Sequence, residues 1–343
     1  MRTTRLGRTG LSVSRVGFGA IPIQRLSDAQ AIEVVQGCLD LGVTLLDAAN
    51  SYTTSEERIG KAIAGRRDQV ILATKTMARD KVTARAHLEL SLHRLGTEVI
   101  DLWQFHNVST FEAYEQVLAP GGAMEAAREA LQAGLVKHIG ITSHSLDMAR
   151  VAVSSGLFET IQFPFNFITC EPEEELLPLA AENDVGFIAM KPFAGGMLDD
   201  ANLAIKYLLQ FDGVVPDPGI ETVEEMEEIA AIVSGPAELT PHEQEQMALM
   251  RAELGTRFCR RCGYCEPCPQ EVSINVALNL PSFWKRFPPE RFVTGWVTEV
   301  AEGARNCIQC GECEEKCPYH LPIREMLTES LDFYDRTVLG RTS

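Results

Sequence analysis

Eight cysteines of this 343-residue chain fall in two tight runs. The first holds Cys259, Cys262, Cys265 and Cys268, with Pro269 next. The second holds Cys307, Cys310, Cys313 and Cys317, with Pro318 next. The second spacing, C-x2-C-x2-C-x3-C-P, suits iron–sulfur ligation: three thiolates wrap one face of a cubane, and the fourth, before the proline, ligates the neighbouring cluster. Two such runs predict two [4Fe–4S] clusters and one-electron chemistry. The preferred ligand sets are crossed, with Cys259, Cys262, Cys265 and Cys317 on one cluster and Cys307, Cys310, Cys313 and Cys268 on the other; pairing within each run is the alternative. The first run is irregular, because only Glu266 and Pro267 separate its last two cysteines. Zinc ribbons use paired C-x2-C knuckles and disulfides suit a secreted chain, so neither reading fits as well. Cys38 and Cys170 stand apart and read as packed thiols.

A second set of residues could carry two-electron chemistry: Asp47, Tyr52, Lys75 and His106. A phenol has an ordinary pKa of about 10, too high for easy donation at neutral pH. An ammonium beside it stabilises the phenolate, and a carboxylate holds that ammonium. A histidine can hydrogen-bond the substrate oxygen and share the proton. The group suits protonation of a carbonyl oxygen while hydride arrives at carbon. Singly, each has a plain structural reading as a helix cap, a loop-packing ring, an ion-pair partner or a satisfied polar residue.

These four must be held by something. Apolar, β-branched runs recur at residues 13–21, 44–49, 70–75, 99–105, 135–142, 160–165, 185–190 and 213–215. Helical periodicity separates them, as at 28–41, 84–95, 123–133 and 172–183. Eight strands each followed by a helix predict an α/β fold, a (β/α)8 TIM barrel, whose active site lies at the C-terminal strand ends. Asp47, Lys75 and His106 fall at successive ends, with Tyr52 just beyond the first. Gly7 and Gly10 suggest a short hairpin under the barrel. A doubly wound sheet is the alternative, but no strand leads into a G-x-G-x-x-G turn.

The chain divides into a barrel at 1–235, a helical linker at 236–256 and a ferredoxin-like domain at 257–343. In the linker, Thr240 and Pro241 start a helix reaching about Leu254. The last part reads as mainly helical, at 273–280 and 297–304, with Pro281, Pro288 and Pro289 breaking the middle. Its aromatics, Phe283, Trp284, Phe287, Phe292 and Trp296, read as core or cluster shielding.

Hydrophobic residues make up 45% of the chain, enough for a large core, and no run of about 18 apolar residues predicts a membrane span. The net charge of −17 is uneven: residues 255–343 hold 11 Lys/Arg and 12 Asp/Glu, which leaves −16 on the rest. So acidic a body argues against nucleic-acid binding. Arg257, Arg260 and Arg261 could receive an acidic electron carrier such as ferredoxin, or simply offset cluster charge. The N-terminal stretch MRTTRLGRTG is not apolar, which points to the cytoplasm.

From Met1 to about Val233 the chain resembles the aldo-keto reductase superfamily. The resemblance is carried by Leu6-Gly7-Arg8-Thr9-Gly10-Leu11, by residues 47–52 with Asp47 and Tyr52, and by residues 101–107 with His106. The stretch from Cys262 to Pro269, short spacing included, resembles the ferredoxin extension of that superfamily's iron–sulfur subgroup. The resemblance implies NAD(H) or NADP(H) lying across the strand ends. Ser143 and Gln162 would hold the carboxamide; the loop 193–198, with Gly195, Gly196 and Leu198, and the stretch 218–220, with Gly219, would hold the pyrophosphate. Three positions depart from the pattern. His144 stands where the family has an asparagine, Met190 where an aromatic stacks on nicotinamide, and acids where basic residues grip the adenosine 2′-phosphate. Residues 221–253 hold nine acids and only Arg251 as a base, which predicts a preference for NADH or weak nicotinamide binding. The expected function is carbonyl reduction or alcohol oxidation on a small substrate, linked to two clusters. The alternatives are an electron-transfer module with little or no reductase activity, and clusters that merely brace the tail.

Overall fold

The computed structural model describes residues 1–341. Two short antiparallel strands, β1 (Thr3–Arg5) and β2 (Ser12–Ser14), form the expected hairpin. Leu6, between them, is fully buried with Val13, Leu45, Ala73, Leu102, Ile188 and Val215, so the hairpin plugs the bottom of the barrel. Gly7 is needed there: at φ 52, any Cβ would lie 2.1 Å from the Gly186 nitrogen.

The barrel strands are β3 (Phe18–Gly19), β4 (Leu45–Asp47), β5 (Ile71–Thr76), β6 (Ile100–Phe105), β7 (Val136–Thr142), β8 (Thr160–Pro164), β9 (Gly186–Met190) and β10 (Val214–Asp217). They pair in parallel in chain order. Gly17 and Gly19 donate to the carbonyls of Pro216 and Pro218, both at 2.8 Å, which joins β3 to the β10 side and closes the ring. The run 13–21 is therefore not one strand. Its first residues belong to the hairpin, and the Ser14 hydroxyl donates to the Val16 carbonyl at 2.6 Å, turning the chain between the two.

The outer helices are α1 (Asp28–Asp40), α2 (Ser55–Ala62), α3 (Lys81–Leu95), α4 (Phe111–Leu118), α5 (Ala123–Gln132), α6 (Leu146–Ser154), α7 (Pro172–Glu182), α8 (Ala201–Leu209) and α9 (Val223–Ser234). Side-chain caps fix where several begin, such as Ser27 with Gln30 before α1 and Thr222 with Glu225 before α9. The strands are buried on both faces, as parallel sheets require.

Past β10 the described residues form no further strand. Helix α10 (Pro241–Leu254) starts with Thr240 as cap and proline at its first turn. Short helices follow: α11 (Ile274–Ala277), α12 (Leu280–Trp284), α13 (Glu290–Val293), α14 (Trp296–Ala304), α15 (Glu312–Glu315) and α16 (Ile323–Phe333). One small core there is built around the cysteines with Val272, Ile274, Ala304, Leu321 and Leu327. A second gathers Leu280, Phe283, Phe292, Val297 and Tyr334, whose hydroxyl donates to the Phe292 carbonyl at 2.7 Å.

This tail sits on the C-terminal face of the barrel. Arg260 donates to the Ile168 carbonyl at 2.9 Å and pairs with Glu171 at 3.0 Å. Ser282 Oγ donates to the Gly195 carbonyl at 2.7 Å, Lys285 Nζ to the Gly196 carbonyl at 3.1 Å, and Gln24 Nε2 to the Arg286 carbonyl at 3.3 Å. Tyr264 bonds Asp147. Among the described residues, no helix is long and apolar enough to cross a membrane.

Candidate active site and cluster sites

Asp47 ends β4, Lys75 lies near the end of β5 and His106 follows β6, so three neighbouring strands deliver three side chains to one mouth. The turn after β4, closed by Tyr52 N–H on the Ala49 carbonyl at 2.9 Å, brings Tyr52 back over them. Lys75 Nζ donates to Asp47 Oδ2 at 2.5 Å and to the Ala48 carbonyl at 2.7 Å, and both side chains of the pair are almost wholly buried. The same ammonium lies 5.2 Å from the centre of the Tyr52 ring. The His106 ring meets Tyr52 edge-on, with centroids 5.8 Å apart.

The electrostatics follow from burial. Burial tends to lower Lys75, but Asp47, with Tyr52 and Asp217 behind it, outweighs it and the ammonium is held above its usual value. Burial pushes the Tyr52 phenol up; Lys75 and, more weakly, Arg286 pull it down, against Asp47 and Asp217. The expected help from Lys75 is thus present but outweighed. Burial, with Lys75, Arg79 and Arg261 nearby, drives His106 well below 6.5, so it is a neutral imidazole.

Two residues that sequence reasoning missed, Gln104 and Asp217, complete the floor together with Gln162. Gln162 Nε2 donates to Asp47 Oδ2 at 3.0 Å and to Asp217 Oδ2 at 3.1 Å, while Gln104 Nε2 reaches Asp47 Oδ1 at 3.3 Å and Gln162 Oε1 at 3.2 Å. Burial and the Asp47 charge push Asp217 well above the carboxylate range. It stands at the end of β10, where strand-end logic would have found it had the run 213–215 been extended past Pro216.

The residues expected around a nicotinamide cofactor are less uniform. Gln162 lines the cavity, but its amide is engaged by the two carboxylates and Gln104. Ser143 is fully buried and its hydroxyl donates to the Ser145 carbonyl at 3.2 Å. Gly195, Gly196, Leu198 and Gly219 do line the cavity. The N–H groups of Ala194, Gly196, Met197 and Leu198 are turned inward, however, the first onto the Lys191 carbonyl and the other three onto that of Phe193. His144 donates through Nδ1 to Asn107 Oδ1 at 3.1 Å, and its buried Nε2 has no partner, nor has His106 Nδ1.

The cavity encloses about 700 Å³. The tail forms its roof with Arg261, Phe283, Lys285, Arg286, Phe287 and Trp296. Two expectations change here. Phe283, Phe287 and Trp296 face the barrel mouth as well as one another, and Trp296 is 41% exposed. The cavity that holds Glu221, Glu225 and Glu228 is also lined by Lys285 and Arg291, and Arg25 pairs with Glu221 at 3.0 Å. A dinucleotide fits this volume, and the partnerless imidazole nitrogens fit a polar ring at the catalytic end. At the phosphate end, side-chain cations are available where loop N–H groups were expected.

The eight cysteines surround two voids beneath the tail. Cys259, Cys262, Cys265 and Cys317 line one, with Tyr319 and Leu321. Cys268, Cys307, Cys310 and Cys313 line the other, which Cys265 also touches. This grouping is the crossed one. Among the described residues, no three His, Cys, Asp or Glu groups draw together as around a single ion. Burial pushes the Cys259 thiol up and Cys262 to about 11, so thiolates there need a positive centre to hold them. Four thiols around each void fit an iron–sulfur cubane. Cys38 and Cys170 lie outside both voids, Cys38 wholly buried.

Aldo-keto reductase YhdN of Bacillus subtilis (strain 168) is 34% identical over 217 residues, covering 58% of this chain and 64% of that protein. Uncharacterized oxidoreductase YqkF of the same organism is 30% identical over 217 residues, covering 59% and 68%. Thus the chain spans about two thirds of the length of these relatives. Aldo-keto reductase AKR11C1 from Bacillus halodurans, in its holo form, superposes with a TM-score of 0.65 at 25% identity, covering 73% of this chain and 96% of that one. An aldo-keto reductase from Klebsiella pneumoniae, in complex with NADPH, shares the fold with a TM-score of 0.63 at 21% identity, covering 73% and 95%. Residues 258–321 match a 4Fe-4S dicluster domain and residues 15–233 match the aldo/keto reductase family. The chain therefore belongs to the aldo/keto reductase family and carries a 4Fe–4S dicluster domain at its C-terminus.

Proposed function

We propose that this oxidoreductase reduces the carbonyl of a small substrate, or oxidises the matching alcohol, with a nicotinamide cofactor, and that its tail holds two [4Fe–4S] clusters. The observation that carries the reading is the meeting of Tyr52 with Lys75, Asp47 and His106 at one cavity mouth. When bound, the nicotinamide supplies hydride to the carbonyl carbon. The Tyr52 hydroxyl gives its proton to the carbonyl oxygen. Lys75, held charged by Asp47, stabilises the phenolate left behind. Neutral His106 hydrogen-bonds the same oxygen and orients it without competing as a proton source. The half-buried roof limits water at the mouth.

Glu221, Glu225 and Glu228 around the start of α9 support NADH over NADPH, against Lys285 and Arg291 on the same cavity wall and with Arg25 already paired to Glu221. Dissociation constants with NADPH bound ten times tighter than NADH would overturn that preference. The Cys259 thiol feels the charges of Lys191 and Arg261, which line the same cavity, and this coupling supports electron exchange between the first cluster and the barrel site. The working division is a barrel at 1–235, a linker at 236–256 and a cluster domain at 257–343.

The test is anaerobic turnover of cluster-loaded protein on a panel of aldehydes and ketones. Activity that Tyr52→Phe abolishes supports the reading; no activity with any member sinks it. A second reading, an electron-transfer module with little reductase activity, is favoured by the inward-turned N–H groups of residues 194–198. Clusters reduced by dithionite but not by NADH or NADPH, seen by EPR, would support that reading instead.

A further inference from the structure

Three basic side chains share the cavity with Tyr52, and none of them forms an ion pair, although Glu266 lies on the side of Arg261. Lys191 follows β9, Arg261 comes from the first cysteine run and Arg286 follows α12; all line the cavity with Tyr52, His106 and His144. Among the described residues, no carboxylate lies within 4.0 Å of any of the three. Arg286 donates only to Ser282, at 3.0 Å to its carbonyl and 2.9 Å to its hydroxyl, which leaves Nη1 free. Arg261 Nε is buried without a partner. Both guanidinium groups stack on Phe283, at 5.1 and 5.5 Å from its centre, which fixes their headings. Of the acids on the cavity wall, Asp47 is engaged with Lys75, Glu221 with Arg25, Glu225 with the N–H groups of Glu221 and Thr222, and Asp217 with Gln162, while Asp199 and Glu228 are exposed.

Positive charge gathered in a partly dry cavity without a counter-charge is costly, and an anion entering it removes the cost. The first cluster could serve as that anion for two of the three, since the Cys259 thiol feels the charges of both Lys191 and Arg261. Arg286 does not share that neighbour. Its charged neighbours are Arg261 and Lys191, which repel it, with Tyr52 and His144 beside it. Its charge is left for a ligand lying against the phenol.

We propose that the cavity takes a carbonyl substrate bearing an anionic group, a carboxylate or a phosphate, with Arg286 as the main partner and Lys191 and Arg261 beside it. The proposal rests on the reductase reading above. In the reaction the carbonyl carbon gains hydride from reduced nicotinamide, its oxygen gains the Tyr52 proton, and the C=O double bond becomes a C–O single bond. The oxidised nicotinamide leaves, Tyr52 regains a proton from water, and the anionic group is unchanged. Held by Arg286, that group would set the carbonyl toward Tyr52 and His106, a placement worth more in rate than in affinity.

The experiment compares matched probes on anaerobic, cluster-loaded full-length protein: pyruvate against pyruvamide, and dihydroxyacetone phosphate against dihydroxyacetone. The charged member of one pair should win by at least about tenfold in kcat/KM, and which pair wins tells carboxylate from phosphate. Arg286→Gln should lose about 10- to 100-fold on the charged probe and clearly less on the neutral one, which loses only the weak pull of Arg286 on Tyr52. Arg286→Lys should restore part of the loss. Dissociation constants for NADH and NADPH should not change. Equal turnover of charged and neutral probes by the wild type overturns the proposal. So does an Arg286→Gln variant that loses both probes alike while its cofactor binding weakens, because the cation would then serve the cofactor. Calorimetric titration with oxamate and with inorganic phosphate separates the two readings. Anion binding that Arg286→Gln removes, in a protein that turns over no carbonyl, sinks the reductase reading alone. Carbonyl turnover with no anion binding sinks the anion site alone.

Discussion

Replacing Lys75 by methionine removes the one charge that both Asp47 and Tyr52 face. The ammonium stands 5.2 Å from the Tyr52 ring centre. At an effective dielectric of about 20, that separation stabilises a phenolate by about 3 kcal/mol. If half to all of this is felt as the proton leaves, kcat falls by about 10- to 200-fold. The phenol itself moves further up, because burial, Asp47 and Asp217 all raise it and only Arg286 is left to oppose them. The alkaline limb of kcat/KM should therefore shift to higher pH. Stability falls too. Asp47 would keep only its two amide donors, and breaking a buried pair costs about 3–5 kcal/mol. Because Lys75 is raised above 10.5 in the folded state, its contribution is whole at neutral pH and disappears only as pH climbs through the folded value. Urea denaturation at pH 7 thus measures all of it. A variant with kcat within threefold of wild type, an unmoved alkaline limb and an unchanged denaturation midpoint would refute the reasoning.

Other outcomes follow from the same structure. Burial first, and nearby cations second, lower His144 and His106 well below 6.5, so the folded protein resists their protonation and stability should fall as pH drops below about 6.5. The slope is up to about 1.4 kcal/mol per pH unit for each histidine, and urea midpoints from pH 7 to 5 should fall less steeply in His144→Gln; equal slopes would count against it. Iron and acid-labile sulfide should each approach about eight per chain. Cys317→Ser should disturb the EPR signal of the same cluster as Cys259→Ser, whereas Cys268→Ser should disturb that of Cys310→Ser; the opposite grouping would mean pairing within each run. Gly19→Ala drives a Cβ to 2.8 Å from the Pro218 carbonyl at the barrel seam and should cost about 1–3 kcal/mol in the thermal unfolding of the barrel, while Gly303→Ala, with open space around it, should not destabilise.

The barrel was legible because parallel strands buried on both faces leave near-continuous apolar runs, and because strand ends are where polar residues must be explained. Asp47, Lys75 and His106 emerged from that rule, and Asp217 escaped it because the last apolar run was ended at residue 215. The cysteine sets were legible for a different reason: ligand spacing is a local constraint, which a chain must write into consecutive residues. The roof had no such signature. Ser282, Lys285 and Arg286 meet Gly195, Gly196 and Gln24 across long stretches of chain, and nothing in either segment announces the other. The charge reasoning from residues 221–253 left out basic groups that arrive from 285–291. The glycine-rich loop misled in an instructive way. Glycines at 195 and 196 do supply positive φ, but the turn they make folds its own N–H groups onto Phe193 and offers its carbonyls to the tail.

The small cysteine-centred core has so little aliphatic mass that Cys265 and Cys317 are themselves among its buried members. A core whose middle is ligand rather than side chain assembles only as its metal is delivered. The roof over Tyr52 hangs from that core through the chain linking Arg261 to Ser282. Iron supply and oxygen exposure would then set whether the barrel has a closed reaction chamber or an open bowl, so the inorganic part of the molecule would act as a latch on its organic chemistry. Loss of iron would loosen the tail before the barrel and expose Tyr52 to water, which limited proteolysis of metal-stripped protein would register as cleavage after residue 256 with the barrel intact.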